Sequence, residues 1–189
     1  AHTIHERGLL SMYEASVFFN HTPLVGWFSE FAYWLSGGAD DPDAKPHFVF
    51  YLRVPAIVAD FLGVAAVMWY QEKTGRPQWW ALALYAASPV GFMVSGYHGN
   101  VDSVMALGIL LAGIACAMNR PLLCGLCLGF ACNIKIIPLI LIPAFFFVCW
   151  QRRQALRFTI PLALTVLIGW SYPLLTIPKT FLKDVLGYG

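Results

Sequence analysis

Residues 121–151 read PLLCGLCLGFACNIKIIPLILIPAFFFVCWQ, and the folding of this run decides the topology of the whole chain. As one straight helix it would be about 46 Å long, well over a hydrocarbon core of about 30 Å. Lys135 and Pro138 would sit near its middle, where a lysine costs roughly 2.5–3.5 kcal/mol to insert. Two shorter helices, 121–134 and 137–151, instead place Asn133-Ile134-Lys135 at a hairpin tip, where the ammonium can reach water. The other charges agree. Lys73 with Arg76, then Arg120, then Arg152, Arg153 and Arg157 occupy short loops between apolar runs. The hairpin puts all three loops on one side, as expected of cytoplasmic loops, whereas a single long helix would flip the third.

Working outward, residues 47–70, 78–97, 100–118 and 156–176 supply further apolar runs. The predicted fold is therefore all-α, a polytopic membrane bundle of about six spans. Composition points the same way: 59% of the 189 residues are hydrophobic and 12% charged. Such a chain has too little polar surface to cover itself in water. A net charge of +2, with basic residues scattered, argues against a nucleic-acid partner. Five cysteines lie inside apolar runs, where they read as small hydrophobes. The CGLC of residues 124–127 lacks the second ligand pair of a zinc site. Segment 21–37, HTPLVGWFSEFAYWLSG, is short and carries Glu30, so it reads as an interfacial helix beginning at Pro23. The organisation expected is an outer-face segment over 1–46, a membrane bundle over 47–176 and the start of an outer loop over 177–189. The ends read as those of a piece of a longer protein.

Sidedness gathers the polar residues. The N-terminal segment, the stretch SGYHGNVDSVM of residues 95–105, Lys135 and the tail from Ile177 all face away from the basic loops. His98 and Asp102 are four apart and share a face if helical. Asn100 either joins them in a site or caps a helix starting at Val101, with Asp102 favoured by the helix dipole. Lys135 offers a positive charge to an anion such as a phosphate, or simply reaches to the interface. Within residues 1–21 lie His2, His5, Glu6, Arg7, Glu14, Asn20 and His21, readable either as ordinary surface polarity or as part of the same site. Arg53 and Asp60, two turns apart in the first span, read as charges that tie this helix to a neighbour.

The order FNHTPLVGWF, RVPAIVADFLGVAAVMWY, SGYHGNVDSVMALGILL and GLCLGFACNIKIIPLILIPAFFF resembles the N-terminal half of GT-C superfamily glycosyltransferases. Among these it is similar to the dolichyl-phosphate-glucose-dependent enzymes of N-glycan assembly and their prokaryotic relatives using polyprenyl-phosphate sugars. Thr22 stands where that pattern has the first proline of a PPL segment. Arg53 to Asp60, His98 to Asp102, and Lys135 before Pro138 occupy its other polar places.

The resemblance implies transfer of a sugar from a polyprenyl-phosphate donor to a hydroxyl of a glycan, lipid or protein acceptor. It implies a single inverting displacement on the periplasmic or lumenal face of a bacterial inner membrane or endoplasmic reticulum. His5, His21, His98, Asn100, Asp102 and Lys135 would bind substrate. The general base, usually an aspartate, would lie just upstream of Ala1, with Glu6 and Glu14 as weaker substitutes. Membrane lipids and the remaining half of the same protein are the implied partners. No cofactor is assigned, and a divalent metal is left open. A transporter or lipid flippase is the competing class, although its usual internal repeats are not visible. A non-catalytic assembly subunit is a third.

Overall fold

The computed structural model describes residues 1–15, 21–38, 44–75, 77–89, 93, 95–96 and 100–186. Among the described residues every regular element is helical. The order is α1 His2–Arg7, α2 Leu9–Ala15, α3 Pro23–Leu35, α4 Ala44–Thr74, α5 Trp79–Ala86, α6 Asp102–Ala117 and α7 Pro121–Cys132. A 3-10 segment Ile137–Leu141 leads into α8 Ile142–Gln151, and α9 Ala155–Thr176 and α10 Pro178–Leu186 complete the chain.

The run over residues 121–151 does turn in its middle. Helix α7 stops at Cys132, and the backbone N–H groups of Ile134 and Lys135 both fold back onto Ala131 O, at 3.0 and 3.2 Å. Pro138 lacks the N–H a continuing helix would need there. Helix α8 then returns along the bundle, so that Cys149 packs with Ala115 and Cys124, and Arg152 Nη1 donates to Cys116 O at 2.6 Å.

Helix α7 is the central post, gripped by α6 on one side and α9 on the other. Small residues make this possible. A Cβ on Gly108 would lie 3.0 Å from Ala131 Cβ, and one on Gly125 would lie 2.2 Å from Phe158 O. In lipid, where apolar burial gives helices no reason to associate, such close approach is what holds them together.

Two helices among the described residues are long and apolar enough to cross a membrane, Pro46–Thr74 and Ala155–Thr176. The other expected spans are shorter helices. Helix α7, with 12 residues, reaches only about 18 Å. The run 78–97 is not one helix either: α5 ends at Ala86, just before Ser88-Pro89. A residue preceding proline disfavours the α conformation, and the proline ring cannot follow in the helix interior.

A second cluster caps one end of the bundle. Ile4, Leu9 and Tyr13 pack with Trp170, Phe181 and Val185, against Ile136 and Leu139 of the hairpin turn. Residues 1–15, read from sequence as loop, are thus two helices broken at Gly8, whose φ of 81° is left-handed. Residues 178–186, also read as loop, form α10, which buries Phe181 and Val185 one turn apart. Helix α4 starts at this end, where Phe48 meets Tyr33 at 6.2 Å. Its 31 residues span about 46 Å and carry Lys73 to the opposite end, where Arg120, Arg152 and Arg157 also lie.

Candidate active site at the capped end

Asp102 and Lys135, 33 positions apart, meet at this end: Lys135 Nζ lies 2.5 Å from Asp102 Oδ1. Each arrives there for a local reason. Asp102 is the first residue of α6, where the helix dipole favours a carboxylate. Lys135 follows the turn that ends α7. Asn100 was expected either in the site or as a cap of a helix starting at Val101. The helix starts one residue later, with no side-chain cap, and Asn100 Nδ2 donates instead to Asp102 Oδ2 at 2.6 Å. A cap would use the amide oxygen to accept from a backbone N–H; here the amide N–H is used instead, on a carboxylate, and a charged acceptor makes the stronger bond.

The carboxylate is therefore held on both oxygens, and the ammonium has donors to spare. With side-chain exposures of 20% for Lys135 and 36% for Asp102, the pair remains reachable from outside.

His21 is drawn to the same place. Its carbonyl accepts the Tyr13 hydroxyl at 2.8 Å, and burial, with a smaller contribution from Asp184, pushes the Tyr13 phenol upward so that it stays a donor. The next residue, Thr22, is fully buried, and its hydroxyl donates to Asn133 O and, more weakly, to Ile134 O at 3.4 Å. The N-terminal segment is thereby latched onto the turn bearing Lys135.

Burial, and then the Lys135 charge, pull the His21 pKa down, while Asp102 opposes them in part. The imidazole is neutral at pH 7. Because its folded value is depressed, its contribution to stability is complete above the ordinary histidine value of about 6.5. That contribution is lost as pH falls from there through the folded value. Acidifying from pH 7 to 5 should loosen the cap, seen as faster amide hydrogen exchange in α1–α3, and His21→Gln should remove that acid sensitivity.

Asn133 secures the turn from within. Its Nδ2 donates to Gly129 O and Thr165 O, both at 2.9 Å, and Gly169 has no side chain because the Asn133 amide fills that space.

The structure thus brings together His21, Asn100, Asp102 and Lys135. His5 stands apart on the cap, its Nδ1 4.0 Å from Glu30 Oε1 and its ring 5.4 Å from Tyr33. Glu6 is exposed on α1. Glu14 belongs to α2, but its side chain, like His98, lies outside the described residues. Glu30 joins His5 although nothing singled it out as a site residue; a lone carboxylate in the aromatic run WFSEFAYW was the signal available. The described residues contain no cluster of three potential metal ligands, and the five cysteines are free thiols.

Chemically, an ammonium with uncommitted donors beside a neutral imidazole can hold a phosphate and orient hydroxyl groups next to it. Residues 20–152, more than half of the chain, match the family described as alpha-(1->6)-mannopyranosyltransferase, N-terminal domain. The match includes His21, Asn100, Asp102 and Lys135. No curated protein and no solved structure matches the chain.

Proposed function

The chain belongs to the alpha-(1->6)-mannopyranosyltransferase family of membrane glycosyltransferases, and from that premise we propose that it moves mannose from a polyprenyl-phosphate donor onto the 6-hydroxyl of an acceptor mannoside. The bundle over 47–176 would be GT-C-like, with 1–46 and 177–189 on the outer, non-cytoplasmic face. What carries this reading is the Lys135–Asp102 pair at the capped end, with His21 beside it, opposite the end where the arginines gather. Positive-inside logic puts those arginines in the cytoplasm and the pair outside.

The chemistry is a single displacement. A carboxylate takes the proton of the acceptor 6-hydroxyl, the oxygen attacks C1, and the C1–O bond to phosphate breaks as the lipid phosphate leaves with the electron pair. Lys135 would meet the charge that develops on the departing oxygen, which is where a fixed cation contributes most to rate. Inversion at C1 with an α-linked product requires a β-linked phosphate in the donor. The base is assigned to a carboxylate of the N-terminal segment. By the family pattern it is an aspartate immediately upstream of Ala1, with Glu6 and Glu14 as substitutes and Glu30, backed by His5, as the further candidate. General-base help of this kind is worth ~10²–10⁴-fold.

The test is full-length enzyme in lipid nanodiscs, offered β- or α-linked polyprenyl-phosphate mannose or a nucleoside-diphosphate mannose, with an α-mannoside acceptor. Transfer from the β-linked lipid alone, giving a 1→6 bond, is the expected result. Use of the nucleotide sugar or of the α-linked lipid would overturn the assignment.

A further inference from the structure

At the end opposite the capped site, a cleft of about 750 Å³ opens between the starts of α7 and α9. Arg120 and Arg157 line it together with Leu122, Leu156 and Ile160. A neighbouring cleft shares Leu156 and Arg157 and adds Arg153 and Trp150. We propose that this double cleft is a binding site for an anionic phospholipid of the leaflet at that end of the bundle.

The charge of this end favours an anion. No acidic residue occurs anywhere between Asp102 and Asp184 in the sequence. Accordingly none of Arg120, Arg152, Arg153 and Arg157 has an ion-pair partner among the described residues. Arg152 spends one guanidinium nitrogen on Cys116 O, which leaves the other three free of internal hydrogen bonds. Unpaired arginines sharing one concavity attract a diffuse anion, and a guanidinium matches phosphate in a bidentate way.

The walls of the cleft favour a lipid. Leu122 is 54% exposed, Leu156 74% and Trp150 64%. Beside the arginines, these side chains offer an apolar face for an acyl chain and an amphipathic ring for the glycerol level. A soluble phosphate compound would use the arginines alone and leave this surface bare. Basic pockets between membrane helices at the cytoplasmic side recur as headgroup sites. The proposal stands apart from the transfer chemistry, since it concerns the other end of the molecule.

The experiment is thermal unfolding of the full chain in neutral detergent, titrated with phosphatidylglycerol, with phosphatidylcholine, or with free glycerol phosphate. Phosphatidylglycerol should raise the melting temperature saturably and the other two should not. In Arg120→Gln/Arg157→Gln the apparent affinity for phosphatidylglycerol should fall about fivefold per arginine removed. Lys73→Gln, at the same end but outside the cleft, should keep the wild-type response. If the double variant cannot be purified folded, Arg157→Gln alone carries the comparison. An unchanged response on losing the arginines, or an equal response to phosphatidylcholine, would overturn the proposal. So would an equal response to glycerol phosphate, because it would make the occupant a free anion.

Discussion

Lys135→Ala should lower mannose transfer by about 10²–10³-fold, the usual loss when one fixed group facing developing oxyanion charge is removed. The loss should fall mainly on kcat in a single-turnover assay, because the departing phosphate carries more charge on its bridging oxygen in the transition state than in the bound donor. Lys135→Arg should recover part of the rate, since it restores the charge with a different shape. Folding should be nearly indifferent. The ion pair with Asp102 is partly exposed, and pairs of that kind contribute about 0–1 kcal/mol. A melting temperature close to wild type would therefore assign the rate loss to chemistry. Asp102→Asn keeps the shape and removes the carboxylate's hold on the ammonium, so it should slow transfer less than Lys135→Ala does. Wild-type rates in both variants would remove the pair from the proposed mechanism.

How that pair could be found in the sequence depends on which part of it is considered. That Lys135 sits at a turn followed from physical cost: a run of 31 residues is too long to span, and a mid-membrane lysine beside Pro138 is expensive. That Asp102 shares its end followed from the arginines of the loops. Their direct contact did not follow, because a separation of 33 positions carries no pairing signal of the kind that i,i+4 spacing gives. The same holds for Thr22, whose partners lie more than a hundred positions away. Helices α1, α2 and α10 escaped notice for a different reason. They are short and polar on one side, and they form because Tyr13, Trp170 and Phe181 give them something to pack on. A local hint was present in α2 and in α10, where Leu9 and Tyr13, and Phe181 and Val185, lie one turn apart. The cap offered for Asn100 does not form: the helix begins one residue later, and it is the amide N–H, not the oxygen a cap would use, that is engaged, by the Asp102 carboxylate. The run over 78–97 read as one span because hydropathy averages over Pro89, whereas backbone geometry does not.

GLCLG, residues 125–129, drew attention through its cysteine, but its glycines decide the packing, and Gly125→Leu should prevent the protein from folding into a stable, active bundle. A Cβ at Gly125 would stand 2.2 Å from Phe158 O, 3.0 Å from Pro161 Cγ and 3.2 Å from Leu162 N. Two of these three are backbone atoms of α9, which cannot rotate away as a side-chain tip can. One turn on, a Cβ at Gly129 would stand 2.8 Å from Thr165 Cβ. The face i, i+4 is the close-approach pattern of membrane helix pairs. A leucine there must force α7 and α9 apart, opening the cluster of Cys124, Leu128, Phe158 and Leu162. Overpacking alone costs typically about 1–3 kcal/mol, and in lipid the separated faces regain no penalty from exposure. The damage would also reach the other end of the helices. Asn133 bridges α7 to Thr165 of α9, and its backbone carries Thr22, so separating the helices would shift the turn that presents Lys135. Gly113→Ala provides the contrast: nothing lies within 4 Å of its added Cβ. There the higher helix propensity of alanine should stabilise by up to about 1 kcal/mol. Size-exclusion profiles and melting temperatures of the two purified variants decide the matter. A monodisperse Gly125→Leu protein with wild-type melting and transfer would mean that α7 and α9 do not touch backbone to backbone.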